Sequence, residues 1–526
     1  MEKCEWFDKR IEKLSKHLWI PEKLSDFGEH KFNYEFNKNK LINFKSYSNP
    51  NSENSKININ HKIKLNIKTK DQIDKQFEKR KEKIDLIEDE QKRNIAIKSL
   101  ETKKQKKIDN IGKIIKTKSY KIYFTDKQKE IIFRWFRECD TVYNETIRRF
   151  NAKNGEFSFD YKKLKLQIFN KLYGKSKKSC PYDILTDEVR IACSNIKSCL
   201  TNFKNGNIKH FEIKEKNKYK LRSILIPKPR ITTKGIYSTI LGKQDFGNIN
   251  TAIITSDCRL TYNFIRKEFF LLTPIYEKIK TIDDRKEATS IDPGEKIPFT
   301  FYSPSECGKI AEDVRKPILK IQQKIRKHQS ALNRNKNKKD KKVRNKTKLK
   351  NKIRNNYRKI KNIVKELHNQ SAIFLCKNYK RIIIPKFETQ KMLKNDKKGM
   401  KARIKENNQK IINEANNKEE MKVNLKSYKR KTRLNGRVKF VLNCLSHYKF
   451  RQHLLMKCEE YGCQLFVGTE EYTSKCCGRC GYLSDIYKNR EKICPYCGLK
   501  INRDINGARD IMLKHYPELK MTVKNG

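Results

Sequence analysis

The sequence lacks long apolar runs and any recognisable export signal. Its nearest approach to a hydrophobic segment is the four-residue run 269–272, whereas a membrane-spanning helix needs about eighteen or more apolar residues in succession. The N-terminus reads MEKCEW, which has no signal-peptide pattern, and no lipidation signal or amphipathic basic anchor stands out. We therefore expect a soluble protein that does not bind membranes and is not secreted.

Acidic side chains are scarce in comparison with basic ones. The 526 residues include 60 Asp and Glu against 124 Lys and Arg, which gives a formal net charge of +64 at pH 7. A charge of this size repels itself unless a polyanion neutralises it. Because no membrane anchor is in view, the composition favours nucleic acid as the main partner.

The sixteen cysteines are scattered and do not form a disulfide framework. Four of them have a metal-ligand spacing, because Cys477-Gly-Arg-Cys480 and Cys494-Pro-Tyr-Cys497 are two C-x-x-C pairs, each followed by glycine. The pattern predicts a zinc ribbon with one structural Zn²⁺ on these four thiolates, in a reducing compartment. Cys476 is expected to be a bystander, since structural zinc sites close at four ligands.

The chain is too long for a single hydrophobic core, so we expect a multidomain α/β protein. Residues 1–116 are rich in Lys, Asn and Ile, which predicts a basic, largely disordered N-terminal extension. Organised sequence begins near residue 117, with a strand over 119–124 and a capping box that starts an amphipathic helix. Helical patterns over about 126–215, followed by short strands, predict a β-rich module with a helical insertion that ends near residue 285.

The second half of the chain begins with a β-hairpin over residues 288–302, whose first strand ends on Asp292. A bland turn aspartate is the usual interpretation of a lone Asp-Pro-Gly sequence. A basic helical hairpin over about 313–368 and a buried strand at 381–384 follow. This alternation of helices and strands indicates a further α/β domain.

The remaining elements lie on either side of the zinc ribbon. Residues 391–437 are basic and polar, which predicts a mobile lid or insertion, and a single helix is expected over 440–461. A strand at 464–467 then leads to an acidic pair, and a helix is expected over 505–513, after the ribbon.

Acidic residues stand where apolar strands end or a helix begins. They are Asp292, then Glu388 or the Glu470 and Glu471 pair, and finally Asp504. Each is weak evidence alone. Together they match a metal-dependent phosphodiesterase, in which two Mg²⁺ ions roughly 3.5–4 Å apart need bridging and flanking carboxylates.

Several motifs then make a resemblance to a known family specific. IDPG, LSHYKFRQHLLMKCEEYGC, YTSKCCGRCG, CPYCG and NRDINGARDI resemble the RuvC-like nuclease domain of the transposon-associated TnpB proteins and of the Fanzor proteins, their relatives in eukaryotes and large viruses. Upstream, KSYKIYFTDKQKEIIFRWFRECDTVYNETI resembles the opening strand and helix of this family, and PYDILTDEVRIACSNIKSCL its recognition region. The resemblance covers about residues 117–515, and its pattern is most similar to Fanzor.

The resemblance implies a fold and a set of domain boundaries. Residues 117–285 correspond to a wedge-like module with a helical recognition insertion, and 286–472 to a RuvC/RNase H-like nuclease domain. The Cys4 zinc ribbon at 473–500 interrupts that domain, and 501–526 supply its last segment and the tail.

The resemblance also implies an RNA-guided DNA endonuclease that cuts target DNA by Mg²⁺-dependent hydrolysis. Its partners are then a guide RNA of the omega type and a target double-stranded DNA with a short adjacent motif. Two catalytic Mg²⁺ ions and one structural Zn²⁺ are its implied cofactors. A monomer is favoured, with a nuclear location in a eukaryotic or viral host and a cytoplasmic one otherwise.

Asp292 matches the first carboxylate of the family's nuclease site, and Asp504 matches the last. The usual place of the middle glutamate is taken by Pro385, which cannot coordinate a metal. Glu470 resembles the relocated glutamate of some family members and is favoured over Glu388. Two other functions stay open: a catalytically inactive, guide-RNA-dependent DNA-binding regulator of a transposable element, which Pro385 keeps alive, and a guide-independent, structure-specific nuclease.

Overall fold

The computed structural model describes the greater part of the chain and divides it into two compact units, Met1–Lys68 with Ile279–Gly526, and Thr69–Lys278. The description covers residues 3–22, 29–32, 42–49, 57–59, 70–152, 160–174, 179–208, 210, 212–216, 222–244, 246, 249–264, 266–334, 343–393, 435–484, 490–517 and 521–523. Among these residues, no helix is long and apolar enough to cross a membrane.

The helices and strands of these residues are numbered in chain order. The α-helices are α1 (Lys9–His17), α2 (Lys70–Asp85), α3 (Glu90–Ile108), α4 (Asp126–Asn151), α5 (Tyr161–Tyr173), α6 (Tyr182–Lys204), α7 (Ser238–Leu241), α8 (Arg315–Arg334), α9 (Val343–Asn378), α10 (Thr389–Leu393), α11 (Gly436–Leu445), α12 (His447–Tyr461) and α13 (Arg503–His515). The β-strands are β1 (Glu29–Phe32), β2 (Phe44–Ser48), β3 (Ile57–Ile59), β4 (Lys113–Ile122), β5 (Arg222–Ile226), β6 (Ile231–Thr232), β7 (Gly235–Ile236), β8 (Cys258–Asn263), β9 (Glu268–Lys278), β10 (Lys286–Pro293), β11 (Phe299–Tyr302), β12 (Glu306–Ile310), β13 (Tyr379–Pro385), β14 (Gln464–Gly468), β15 (Glu491–Ile493), β16 (Lys500–Asn502) and β17 (Met521–Val523).

A seven-stranded mixed sheet organises the first unit, in the order β1-β2-β12-β11-β10-β13-β14. The predicted hairpin is confirmed, since β10 pairs antiparallel with β11 and places Asp292 opposite Thr300. On its other side β10 runs parallel to β13, which in turn runs parallel to β14. The carboxyl ends of β10, β13 and β14 therefore meet at one edge of the sheet.

Both faces of this sheet are covered, and its central strands carry apolar side chains on each face. Ile291, Ile382 and Ile384 pack on one face, in the same core as side chains of α8, α9, α11 and α12. Ala288 and Ile383 pack on the opposite face, in a core with α1 and α13. Because side chains alternate along a strand, Asp292 lies on the face of β10 that α13 covers.

The predicted boundary at residue 116 is wrong for the described part of the N-terminal region. Strand β2 lies inside the seven-stranded sheet, paired with β12, and Phe44 within it is 1% exposed. Helix α1 begins at an aspartate cap, with Asp8 Oδ1 accepting from the Ile11 N–H at 2.9 Å, and buries Ile11 and Leu14. The average polarity of the region hides these short apolar patterns, because a long basic stretch dilutes them.

The predicted helix over residues 440–461 is also wrong in one respect, since two helices occupy this stretch. They separate at Ser446, whose φ of +51° is in the left-handed region and cannot continue a right-handed helix. The predicted basic helical hairpin is present as α8 and α9, which pack on each other. Most of the lid expected over 391–437 lies outside the described residues.

The second unit contains a four-stranded antiparallel sheet, in the order β4-β9-β8-β5, and the helices α4, α5 and α6. Thr125 and Gln128 form the predicted capping box at the start of α4. The helix buries Trp135 and Ile132 completely against the sheet's apolar side chains. Strands and helices thus share one core here, as expected for a β-rich module with a helical insertion, while α2 and α3 pair with each other ahead of β4.

Candidate functional site

Two of the predicted acidic residues follow parallel strands that end at the same sheet edge. Asp292 lies one residue before the end of β10. Pro385 ends β13 and pairs with Gly468, which ends β14 two residues before Glu470. The register of the parallel strands thus brings Asp292 and Glu470 to one edge, although 178 residues separate them in the sequence.

Helix α13 brings Asp504 to the same edge. Asn502 caps this helix, its side-chain oxygen accepting from the N–H groups of Asp504 at 3.1 Å and Ile505 at 3.4 Å. Ser290 on β10 donates its hydroxyl to the Ala508 carbonyl at 2.7 Å, which fixes the helix on the strand. The approach is close, because a Cβ atom at Gly507 would lie 2.8 Å from Oδ2 of Asp292.

Asp504 and Glu470 lie close enough to Asp292 for their charges to act on it. Burial, followed by the negative charges of Asp504 and then Glu470, raises the pKa of Asp292 well above its usual range. Arg503 partly opposes this effect and also contacts Asp504, with Nη2 3.4 Å from Oδ1. Like charges that are held together in this way are the arrangement that a bound cation stabilises.

The structure separates the candidates for the middle carboxylate by their surroundings. Glu470 is half-buried, and burial and then the charge of Glu388 raise its pKa. Glu388 and Glu471 are exposed. The charge of Glu470 thus helps to raise the pKa of Asp292. The charge of Glu388, which lies farther along the same acidic edge, in turn helps to raise the pKa of Glu470.

Two residues at the end of α13 hold the backbone around Glu470. Nε2 of His515 lies 3.1 Å from both the N–H and the carbonyl oxygen of Thr469. Lys514 donates to the Glu471 carbonyl at 3.2 Å. The helix that begins beside Asp504 therefore also holds the residues on either side of Glu470.

His447 is a buried neighbour of this edge that the sequence analysis did not single out. Its ring packs edge-on against Phe299, in the Asp292 hairpin, and against Phe387, next to Glu388, with ring centroids 5.7 and 4.7 Å apart. Burial lowers the pKa of His447 to about 3. The side chain is therefore a neutral wedge between two segments that carry acidic residues.

The four predicted zinc ligands come together, and Cys476 is outside their set. Their sulfur atoms all lie within 4.8 Å of one another, with Cys477–Cys497 and Cys480–Cys494 separations of 3.6 Å. Thiolates about 2.3 Å from a tetrahedral Zn²⁺ are about 3.8 Å apart, so the donor set fits this ion.

The turns after the two cysteine pairs need glycine. Gly481 and Gly498 have φ values of +75° and +69°, and each donates its N–H to the first cysteine of its pair, Cys477 at 2.8 Å and Cys494 at 3.0 Å. The hairpin of β15 and β16 completes the ribbon. These details agree with a structural zinc site.

Buried polar side chains on one face of α13 join the ribbon to the sheet. Asn506 donates to the Cys476 carbonyl at 2.9 Å and accepts from the Gly478 N–H at 3.2 Å. Arg509, which is fully buried, donates to the Gly478 carbonyl and to the backbone oxygens of Ser15 at 2.8 Å and Leu18 at 3.2 Å. A single arginine thus ties the ribbon and the end of α1 to the helix that carries Asp504.

The sequence analysis missed this connection. Asn506, Arg509 and Asp510 have the i, i+3, i+4 spacing of one helix face, a signal that is present in the sequence and was not used.

The sequence is similar to those of several known proteins. Residues 447–511 match the family model described as Cas12f1-like, TNB domain. A TnpB-like protein of Acanthamoeba polyphaga mimivirus is 26% identical over 434 residues, which cover 78% of this chain and 75% of that protein. A putative transposase of Paramecium bursaria Chlorella virus 1 is 26% identical over 438 residues, 76% of this chain and 87% of that one. The chain is thus similar to a TnpB-like protein and to a putative transposase over about three quarters of its length.

A solved structure is also similar to this chain. It is a chain in a cryo-EM structure of a Cas12f1-sgRNA-target DNA complex, and the alignment covers 76% of the present chain and 99% of that chain, at 13% identity and a TM-score of 0.41. A similarity of this size carries no argument about activity. The activity is therefore inferred from the residues of the candidate site.

Proposed function

We propose that this chain is a Mg²⁺-dependent DNA endonuclease with a RuvC-like catalytic domain. The observation that carries the proposal is the meeting of Asp292, Glu470 and Asp504 from three separate elements at one sheet edge, where burial and then the charges of Asp504 and Glu470 raise the pKa of Asp292. Carboxylate oxygens are the ligands that Mg²⁺ prefers. A structural role alone would more economically use neutral side chains, because neighbouring carboxylates repel one another.

The topology of the sheet supports the RuvC-like assignment. Strands β10, β11 and β12 form an antiparallel meander, and β13 and β14 lie parallel to β10 on its other side. The resemblance implies a RuvC/RNase H-like domain whose first carboxylate is Asp292, and this residue lies on β10. The ribbon lies between β14 and α13 in the chain, which supports the proposal that it interrupts the nuclease domain.

Asp292, Glu470 and Asp504 would hold the metal ions in this site. Bound Mg²⁺ would supply a nucleophilic water and neutralise charge on the scissile phosphate. The protein's own contribution is orientation: Ser290 and Asn502 fix the helix that carries Asp504, and His515 fixes the turn before Glu470. Glu388 is the second choice for the middle ligand.

We further propose that cleavage is guided by RNA. The +64 charge suits a protein that grips an RNA guide of the omega type and a double-stranded DNA target with a short adjacent motif. Basic side chains along α8 and α9 are placed in the same unit as the carboxylates and can contact phosphates. A Fanzor-type nuclease, active as a monomer and located in the nucleus of a eukaryotic or virus-infected host, is the finer proposal.

Neutralising single carboxylates tests the catalytic assignment. Asp292→Asn and Asp504→Asn should each lower cleavage at least about 10³-fold and leave RNA and target binding intact, because ligand loss removes charge stabilisation of the transition state. Glu470→Gln should do the same, and Glu388→Gln should leave most of the activity. Full cleavage by Asp292→Asn would sink the site assignment, and reversed effects of the two glutamine variants would make Glu388 the middle ligand.

A catalytically inactive regulator is the second candidate, and Pro385 at the usual place of the glutamate is the observation that favours it. It predicts guide-directed DNA binding without cutting in Mg²⁺. Sequencing of the RNA that co-purifies with the chain separates these functions from a guide-independent nuclease. One defined RNA supports guidance, whereas a heterogeneous mixture contradicts it.

A further inference from the structure

Three cysteines and an arginine form a buried cluster at the opposite edge of the seven-stranded sheet. Arg285 directly precedes β10, Cys376 lies near the end of α9 before β13, and Cys463 directly precedes β14. Cys458, on α12, completes the group. The cluster therefore lies where the three parallel strands begin, whereas the carboxylates lie where they end. We call it the thiol cluster.

Arg285 organises this cluster through its guanidinium group. Its Nη1 donates to Sγ of Cys463 at 2.9 Å and to the Tyr461 carbonyl at 2.8 Å, and its Nε donates to the Ile282 carbonyl at 2.8 Å. The arginine is thus held by three backbone oxygens, those of Ile282, Tyr461 and, at 3.4 Å, Cys376, while it contacts the sulfur. A fixed cation at hydrogen-bond distance stabilises a thiolate over a thiol.

Two further sulfur atoms lie beside Cys463. Cys376 and Cys458 have their sulfurs 3.7 Å apart, and Sγ of Cys463 lies 3.3 Å from the Cys376 carbonyl oxygen. Hydrogen bonds from the thiols of Cys376 and Cys458, with Arg285 adding to them, lower the pKa of Cys463 to about 4. Burial instead raises the pKa values of Cys376 and Cys139 well above the usual range.

All three cysteine residues are buried, and Cys463 is 5% exposed, against 1% for Cys458 and 0% for Cys376. We therefore expect a small oxidant to reach Cys463 before the other two. The attacking group and a neutral thiol that can respond to it are therefore adjacent, which is the arrangement of redox-reactive cysteines.

We propose that Cys463 is a peroxide-reactive thiolate that forms a disulfide with a neighbouring thiol of this cluster, in the first place Cys376. The thiolate sulfur attacks one oxygen of hydrogen peroxide, the O–O bond breaks, and hydroxide leaves, which oxidises Cys463 to a sulfenic acid. The Cys376 sulfur then attacks the sulfenic sulfur and loses its proton, and water leaves as the S–S bond forms. Overall, two thiols are oxidised and one peroxide is reduced to two waters.

The test uses the full-length, zinc-loaded protein and hydrogen peroxide. Native protein is treated with peroxide for graded times, blocked with an alkylating reagent and mapped by non-reducing peptide mass spectrometry. Cys463 should be oxidised at least about tenfold faster than Cys139, which also neighbours another cysteine, Cys180, but has its pKa raised by burial. The expected product joins Cys463 to Cys376 or to Cys458.

Matched variants show whether Arg285 causes the reactivity. Cys463→Ser should abolish the disulfide, whereas Cys444→Ser, at a partly exposed cysteine outside the cluster, should leave it unchanged. Arg285→Gln should slow the oxidation about tenfold and Arg285→Lys should restore part of it, since the positive charge returns. Circular dichroism checks that each variant is folded. Oxidation of Cys463 no faster than that of Cys139, or a rate that the folded Arg285→Gln variant leaves unchanged, overturns the proposal.

Discussion

The zinc ribbon and the carboxylate site are both clusters of acidic ligands, but they are assembled in different ways. The four thiols lie within 21 residues, and short turns around Gly481 and Gly498 bring them together. The carboxylates come from β10, from the residues after β14 and from α13, over more than 200 residues. The local set of four thiols needs only its metal in order to form, whereas the dispersed carboxylates come together only when the whole sheet has folded.

The two sites are nevertheless joined by one helix. Asp504 lies in the first turn of α13, and Asn506 and Arg509, one turn on, hold the backbone of the ribbon at Cys476 and Gly478. The ribbon is thus a support for the dispersed site as well as a small domain in itself. The stability of the zinc ribbon therefore limits how precisely the carboxylates are positioned.

Removal of zinc should have the largest effect and is the clearest way to break this comparison. Structural Zn²⁺ contributes on the order of 10 kcal/mol to folding of a small metal domain, so Cys494→Ser should unfold the ribbon and abolish cleavage. Cys476→Ser is the control, because its sulfur is outside the ligand set. Zinc content by mass spectrometry and cleavage are measured together; a zinc-free protein that still cuts would show that the sites are independent.

Substitution of Arg509 should have the next largest effect. It removes the connection between the ribbon and the carboxylate site but leaves the four cysteines and the three carboxylates unchanged. Arg509→Leu removes the donor for four backbone oxygens in a buried place, which should lower the free energy of unfolding by about 3–5 kcal/mol. Arg148→Leu, an arginine in the exposed ion pair with Glu215 at 2.8 Å, should cost less than about 1 kcal/mol. Denaturant titration compares them. Equal losses in the two variants would contradict the connecting role.

Protonation of the buried His447 and His368 at acid pH should destabilise the region beside the carboxylate site. Burial lowers the pKa values of these two side chains to about 3 and about 4. The unfolded chain binds these protons first, so the stabilisation is present above about pH 6.5 and is lost as the pH falls towards the folded values. Between pH 7 and pH 5 each should cost about 2 kcal/mol. His447→Phe should flatten the measured dependence of unfolding free energy on pH, and an unchanged slope in this variant would contradict the assignment.

The smallest expected effect sharpens the comparison, because it alters only the start of α13. Asn502→Ala removes the helix cap beside Asp504 and should cost about 1 kcal/mol. Thr125→Ala, which removes the cap of α4 in the other unit, should cost about as much. Cleavage should fall only in Asn502→Ala. Equal activity in the two variants, at matched stability, would mean that the cap does not position Asp504.

The sequence was most informative where the deciding residues are close together. The spacing of the four ribbon cysteines, and the strand endings before Asp292 and Glu470, predicted positions that the structure brings together. Pairing of β2 with β12 and the contact of Arg509 with Ser15 were not predictable, because nothing local marks contacts between residues 260 to nearly 500 positions apart. The buried polar residues on α13 were not predicted for another reason. Only apolar residues at helical spacing were sought, although polar residues of α13 have the same spacing.

The place of β2 in the sheet has a consequence for how the chain is made. Residues 44–48 leave the ribosome long before residues 306–310, their partners in β12, and at about 5–20 residues per second the wait is roughly 10–50 s. During that time the edge of β2 that pairs with β12 has unpaired backbone groups, which is a site for association with other chains. Synthesis at high concentration should therefore favour aggregation through β2, and slower expression or a chaperone that shields this segment should raise the yield of native protein.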